Sequence, residues 1–216
     1  LAIIKDNEVA DTISDGESGV VILDTTSFYA ESGGQVGDIG SIGDGDSSFK
    51  VADTQKSSSG IYMHIGEMTG GLIKVGDNVT AAVCKANRNA VMRNHTAAHL
   101  LQAALRTVLG NHVEQAGQLV TANSVRFDFT HFSALTADQL AEVESLVNRA
   151  ILDAIEVDIN EMPIEEAKKL GAMALFGEKY GNVVRVVNVP NTSVELCGGT
   201  HVSNTAKIAL FRIVSE

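Results

Sequence analysis

The chain has 216 residues, of which 44% are hydrophobic and 20% charged, and this composition excludes a disordered tail because it suffices for one large or two small cores. With 27 acidic against 16 basic residues, the net charge of −11 argues against strong general attraction to a polyanion, so any nucleic-acid contact should be local. No apolar run is long enough for a membrane span, and the N-terminus lacks the pattern of a signal peptide. Two cysteines are too few for a disulfide framework. Together these features favour a cytoplasmic protein.

Residues 1–86 are predicted to form a small β-rich domain. Of the 20 glycines, 13 precede residue 85, and short β-branched runs alternate there with Gly, Asp and Ser. This pattern is typical of antiparallel strands joined by turns. The clearest strands are 20–23, 61–65 and 79–83, with loops at 37–48 and 57–60. Because the first residue is not Met, we expect an excised segment of a longer protein.

A long helix is predicted from about residue 86 to Gly110, because apolar residues recur at helical spacing around most of its surface. Four polar residues interrupt that surface at spacings of four, three and four, namely His95, His99, Gln102 and Arg106. This spacing puts them in one stripe on a helix that should be mostly buried, so the stripe needs polar partners.

Residues 87–216 are predicted to form an α+β domain, in which helices cover one face of a mixed or largely antiparallel sheet. A capping box at Thr136 and Gln139 begins a second, amphipathic helix, and Gly171 ends a short helix at 164–170. The predicted strands lie within 118–129 and at 157–162, 183–189 and 208–214.

Two pairs of residues with the same spacing indicate a metal site. His95 and His99 lie one helical turn apart, and Cys197 and His201 repeat the spacing around two glycines that permit a tight turn. Either pair alone is more often a solvent-facing or hydrogen-bonded couple. Together they supply three nitrogens and one sulfur, which favours Zn²⁺ over Mg²⁺ or Ca²⁺. Because no glutamate follows His95, the helical motif of metalloproteases is absent.

Five segments in the same order resemble the editing domain of alanyl-tRNA synthetases: 28–38 with its Glu-Ser-Gly-Gly-Gln, 95–101, 126–129, 171–181 and 195–201. The resemblance implies a hydrolase that removes serine or glycine wrongly esterified to tRNA(Ala). It implies that His95, His99, Cys197 and His201 are both the zinc ligands and the catalytic residues, and that residues 1–86 form a β-barrel-like subdomain. The ATP-binding ligase domain would then lie elsewhere in the parent enzyme and act in cis.

Three polar residues near these segments are candidates for recognising the substrate: Thr96, Gln115 and Thr200. A pocket that activates alanine rejects a serine hydroxyl only weakly, so a second site must reward that hydroxyl with a hydrogen bond. Ordinary capping or surface hydrogen bonding explains the same residues equally well.

Three further candidates would contact the acceptor end of the tRNA. Gly33 and Gly34 can bring backbone amides close to a phosphate or the terminal adenosine, although a plain turn is the better interpretation from residues alone. Arg126 belongs to a group of basic residues around the first helix that can neutralise phosphates, or can simply lie in solvent.

The coordination chemistry leaves alternatives open. Four protein ligands close a tetrahedral zinc site, whereas catalysis normally leaves one position free, so either coordination expands or one His is released as an acid or base. Zn²⁺ can lower the pKa of a water or anchor the substrate. Two other functions remain: a free-standing AlaX-type trans-editing hydrolase, and a tRNA-docking module in which zinc only stabilises the fold.

Overall fold

The computed structural model describes residues 2–173 and 181–216. The chain separates into two compact units, the first made of Leu1–Ser32 and Val36–Asn89, the second of Gly33–Gln35 and Ala90–Glu216. Three residues from the N-terminal part of the chain therefore belong to the second unit. Most of the family-like segment at 171–181 lies outside the described residues.

The first unit consists of short antiparallel strands. They are β1 Ala2–Lys5, β2 Glu8–Ala10, β3 Thr12–Ser14, β4 Ser18–Ile22, β5 Gly40–Gly43, β6 Ser48–Lys56, β7 Tyr62–Gly70, β8 Leu72–Lys74 and β9 Thr80–Val83. Seven form one sheet in the order β2-β1-β4-β7-β6-β5-β9, and β3 pairs with β8. Within the described residues no strand pairing joins the edges β2 and β9, so the barrel-like closure is not observed.

The predicted loop at 37–48 is wrong in part, because it contains β5. Gly40 in this strand pairs with Val83 of β9, and a Cβ on Gly40 would overlap the Ala82 carbonyl. Glycine is needed here for close approach of two backbones, so the residue that normally marks a turn lies inside a strand. The core of the unit is formed by alternate apolar residues such as Val21, Ile42 and Phe49.

The helices agree closely with the sequence prediction. They are α1 Lys85–Leu109, α2 Ala137–Leu152 and α3 Ile164–Lys169, followed by a short 3₁₀ helix at Thr205–Ile208. Both hydrogen bonds of the Thr136 capping box are present, and Gly110 follows α1 with a φ of +110°. No helix among the described residues is long and apolar enough to cross a membrane.

The predicted strand at 208–214 is wrong. Within the described residues, backbone groups of this segment bond to side chains of α2 and not to a neighbouring strand. Asn148 bonds both backbone groups of Phe211, and Glu144 accepts from the Ile213 N–H. The two side chains satisfy the same backbone groups that a strand ladder would have used.

The second unit contains two antiparallel sheets. One is the hairpin of β10 Gln115–Val120 and β11 Val125–Phe129, and the other has the order β12-β13-β14, with β12 Asp158–Pro163, β13 Val183–Val189 and β14 Ser193–Leu196. On β13, Val187 and Val189 pack in the core that contains α1 and α2, whereas Val184 and Val186 pack with α3. Since successive strand residues point to opposite faces, the expected arrangement with helices on one face is wrong.

Candidate metal centre

The four predicted ligands converge. His95, His99, Cys197 and His201 each offer one ligand atom, and these atoms lie within 4.8 Å of one another. Cys197 Sγ is 3.5 Å from His95 Nε2 and 3.3 Å from His201 Nε2. Ligand atoms of a tetrahedral zinc ion, with bonds of about 2.0–2.3 Å, are about 3.3–3.6 Å apart. The donor set and the two Sγ–Nε2 distances therefore fit a metal ion.

Helix α1 and the segment after β14 bring the two pairs together. His95 and His99 share the buried face of α1, one turn apart. Cys197 directly follows β14, and its N–H donates to the Arg185 carbonyl on β13 at 3.0 Å. The Arg185 guanidinium in turn donates from Nη1 to the carbonyls of Cys197, at 2.8 Å, and Gly199, at 2.6 Å. Arg185 thus holds the turn that carries Cys197.

The two glycines of this turn, Gly198 and Gly199, differ in how closely their backbone packs against other residues. A Cβ on Gly199 would overlap the His95 ring, whereas a Cβ on Gly198 would meet nothing within 4 Å. Glycine is required at position 199 because the backbone packs directly on an imidazole, not because of a left-handed φ.

Two of the three imidazoles have a hydrogen-bond partner at Nδ1. His95 Nδ1 lies 2.7 Å from Gln35 Oε1, and His201 Nδ1 lies 3.1 Å from Thr96 Oγ1. Metal-binding histidines commonly use the nitrogen that faces away from the metal in this way, which fixes the orientation of the ring. His99 Nδ1 lies 3.6 Å from Glu195 Oε2, which is beyond hydrogen-bond distance.

The electrostatics keep the imidazoles neutral. Burial lowers the pKa of His95 to about 3 and that of His99 to about 4, with the neighbouring charge of Arg185 acting in the same direction. The pKa of His201 is lowered well below its usual value, again mainly by burial. Burial raises the pKa of Glu195 to about 7, against the Ser193 hydrogen bond and the charge of Arg106. Neutral imidazole is the form that binds a metal.

Three of the four polar residues in the stripe on α1 have a partner or belong to the cluster of His95, His99, Cys197 and His201. His95 and His99 are members of this cluster, and Arg106 Nη1 donates to the Val113 carbonyl at 2.7 Å. Among the described residues, His99 Nδ1 and Gln102 Oε1 are buried without a hydrogen bond. An open donor or acceptor at this depth is costly unless a bound group or water completes it.

The predicted substrate residues are distributed unevenly. Thr96 is buried, and its hydroxyl also accepts from the Val202 N–H at 3.2 Å. Thr96 thus contacts the cluster at His201. Thr200 bonds Gln35 through both its N–H and its hydroxyl, and Gln35 in turn contacts His95. Gln115 begins β10 opposite Phe129. Arg126 is exposed and pairs with Asp128 at 3.2 Å, so the structure does not bring it to the cluster.

Gly33 and Gly34 position a residue that the sequence analysis missed. Both have positive φ, of +58° and +77°, and the Gly34 carbonyl accepts from the Val120 N–H at 2.7 Å. The next residue, Gln35, is fully buried and forms a bridge with Val120. Its position directly after the glycine pair was the signal that could have identified it.

Comparison with known proteins covers the whole chain. Residues 1–87 match the family of class II (A) tRNA synthetases, and residues 184–216 match the second additional domain of threonyl and alanyl tRNA synthetases. Over all 216 residues the chain is 55% identical to an alanine–tRNA ligase of Neisseria meningitidis serogroup C and 50% identical to that of Bacillus subtilis. The chain corresponds to an alanine–tRNA ligase fragment.

The predicted resemblance to alanyl-tRNA synthetases is therefore confirmed. The chain spans 25% of the length of both alanine–tRNA ligases. A third relative, from Acetivibrio thermocellus, is 54% identical over the same 216 residues, which are 24% of its length. Cys197 and His201 lie within the part that matches the second additional domain, together with Arg185.

Proposed function

We propose that this chain is the editing segment of an alanyl-tRNA synthetase and hydrolyses the ester of tRNA(Ala) that carries serine or glycine. The observation that carries the proposal is the convergence of His95, His99, Cys197 and His201. They converge in a chain whose 216 residues all align with a segment of alanine–tRNA ligases. A pocket that activates alanine cannot exclude glycine by size, so a second, hydrolytic site has a chemical purpose.

Zn²⁺ is the ion we assign to the four ligands. Three imidazole nitrogens and one thiolate suit zinc, whereas Mg²⁺ and Ca²⁺ prefer oxygen. Zn²⁺, when bound, would supply Lewis-acid stabilisation of the charge that develops on the ester during hydrolysis.

The residues around the ligands would orient the substrate. Thr200 lies beside the cluster, and its hydroxyl can bond a serine side chain while its N–H stays on Gln35. Thr96 would act mainly through His201, which its hydroxyl already contacts. Gln115, the first residue of β10, is the third proposed substrate contact.

The partner we propose is the acceptor end of tRNA(Ala). Gly33 and Gly34 are the proposed backbone contacts and Arg126 a phosphate contact, since its guanidinium is exposed. With a net charge of −11, the chain should bind tRNA weakly on its own, and the rest of the synthetase would supply most of the affinity.

The test is deacylation of Ser-tRNA(Ala), Gly-tRNA(Ala) and Ala-tRNA(Ala) by the chain as purified, after chelation, and after Zn²⁺ is restored. We expect the first two to be hydrolysed and the third spared. Chelation or Cys197→Ala should lower the rate by about 100-fold or more, whereas Cys84→Ala, at the other cysteine, should not. A folded, zinc-loaded chain that does not accelerate the hydrolysis of Ser-tRNA(Ala) at saturating protein would refute the proposal.

One observation favours a second candidate, a tRNA-docking module with structural zinc. All four ligands are protein side chains, and such closed sites usually stabilise folds. In that case chelation unfolds the second unit, and the zinc-loaded chain binds tRNA without turnover.

A further inference from the structure

Gln35 makes an unusual set of contacts for a buried glutamine. Its Oε1 lies 2.8 Å from the Thr200 backbone nitrogen and 2.7 Å from His95 Nδ1. Its Nε2 lies 3.0 Å from Thr200 Oγ1. The Gln35 side chain is fully buried, so its amide depends on these partners for its hydrogen bonds.

The backbone of Thr200 fixes the orientation of the amide. A peptide N–H can only donate, so the Gln35 atom that faces it must be the carbonyl oxygen. That oxygen also faces His95 Nδ1, and an amide oxygen can only accept. Nδ1 of His95 must therefore carry the proton of the neutral ring.

This proton assignment leaves His95 Nε2 with its lone pair, and Nε2 is the nitrogen that lies 3.5 Å from Cys197 Sγ. Gly199 packs on the same ring, with no space for a side chain between them. The ring is thus held on one side by the Gly199 backbone and at one nitrogen by Gln35.

The other two imidazoles are not fixed in this way. The partner of His201 is the Thr96 hydroxyl, which can donate or accept. The partner of His99 is Glu195 at 3.6 Å, which is too long for a hydrogen bond. Among the three, only the His95 tautomer follows from a backbone donor.

We infer that Gln35 is a positioning residue of the metal centre: it holds His95 in the Nδ1–H form and so presents Nε2 to the ion. Gln35 also holds Thr200 in the turn at residues 197–201, which we call the ligand turn. The inference rests on the proposed function, because it assigns Gln35, which follows Gly33 and Gly34 in the second unit, a role at the proposed metal centre.

The first experiment measures the His95 tautomer in the metal-free chain, by long-range ¹H–¹⁵N correlation with ¹⁵N-labelled histidine. We expect a protonated Nδ1 and an unprotonated Nε2 in the wild type, and a mixture of both tautomers in Gln35→Leu. Gln35→Glu keeps an oxygen that can accept from His95 and Thr200, so it should restore the wild-type tautomer.

The second experiment measures Co²⁺ affinity by chelator competition, with the thiolate absorption band as the signal. Gln35→Leu should weaken binding by about 10- to 100-fold, the range seen when a partner behind a metal-binding histidine is removed, and Gln35→Glu should recover most of it. Gln118→Leu is the matched control, since Gln118 donates to the Gly33 carbonyl in the same segment, and no hydrogen bond within the described part of the chain joins it to His95. It should change neither tautomer nor affinity.

Wild-type His95 protonated at Nε2 would overturn the inference, as would Gln35→Leu with unchanged tautomer and affinity. If Gln35→Leu does not fold, the wild-type tautomer and Gln35→Glu still decide. A wild-type chain that binds no Co²⁺ would refute the proposed metal centre, while the tautomer of the metal-free chain would still support or overturn the assignment to Gln35.

Discussion

Glu195 Oε2 lies 3.6 Å from His99 Nδ1, yet the two groups do not form an ion pair at neutral pH. Burial lowers the pKa of His99 to about 4 and raises that of Glu195 to about 7, so each is displaced towards its uncharged form. A neutral His99 keeps a lone pair for a metal ion. Glu195 therefore does not hold His99 in a protonated form that could not bind an ion.

The glycines of the ligand turn allow a matched test of close packing. Gly199→Ala should force the turn away from His95, cost about 1–3 kcal/mol of stability and weaken metal binding by about tenfold or more. Gly198→Ala, where a Cβ meets nothing, should leave both within error. Thermal unfolding and metal titration of the two variants check this, and equal behaviour would show that the turn adapts to a side chain.

Arg185 should prove irreplaceable by lysine. Its Nη1 reaches the carbonyls of Cys197 and Gly199, and a lysine ammonium on a flexible stem does not reproduce the planar donor. We expect Arg185→Lys to cost about 1–3 kcal/mol in urea unfolding and to weaken metal binding. Arg126→Lys, at an exposed pair with Asp128, should have almost no effect. Similar losses in both variants would contradict the assigned contacts.

The Thr96 hydroxyl should act through His201. In Thr96→Val, His201 Nδ1 and the Val202 N–H lose their partner, so stability should fall by about 1–3 kcal/mol and metal affinity by about tenfold. Thr107→Val is the control, because it makes the same substitution at an exposed position of α1. Its free energy of unfolding should stay within about 0.5 kcal/mol of the wild-type value. Unchanged stability and metal affinity with altered discrimination between serine and glycine would instead place the hydroxyl on the substrate.

Local sequence signals predicted the helices and the two spaced pairs of His and Cys residues that form the cluster. The periodicity of α1, its end at Gly110 and the capping box at Thr136 depend on residues within a few positions of one another, so they can be read without knowing the fold. The same holds for each ligand pair, because its spacing equals one helical turn or a short loop. What remained uncertain was whether the two pairs meet, and the structure brings them together.

The residues that support the ligands could not be found in this way. Gln35 reaches His95 from far along the chain. Arg185 is one of two polar residues in the otherwise apolar strand β13, where it resembles an ordinary exposed position. The strand β5 was missed because Gly40 is read as a turn residue unless the neighbouring backbone is known. In each case the decisive partner is distant in sequence.

Acid should weaken the first unit through His64. This buried ring has its Nδ1 2.9 Å from the Val21 carbonyl and its Nε2 2.8 Å from the Thr26 hydroxyl, and that hydroxyl accepts from the Phe28 N–H. The chain of donors and acceptors is complete with a neutral ring, and burial lowers the pKa of His64 below its usual value.

Because the folded pKa of His64 is depressed, its contribution to stability is fully present above about pH 6.5, the unfolded value, and is lost as the pH falls towards the folded one. Hydrogen exchange of the β7 amides between pH 5 and 8 should show this loss. His64→Gln should flatten the profile, whereas His112→Gln, at an exposed histidine, should not. An unchanged slope in His64→Gln would assign the acid sensitivity to other groups.

The most direct test of the whole account is X-ray absorption at the zinc edge on the purified, zinc-loaded chain. The account predicts one ion per chain with one sulfur at about 2.3 Å and about three nitrogens at about 2.0–2.1 Å, and loss of the sulfur shell in Cys197→Ala. A spectrum without sulfur, or one unchanged by Cys197→Ala, would contradict a centre built from these four side chains.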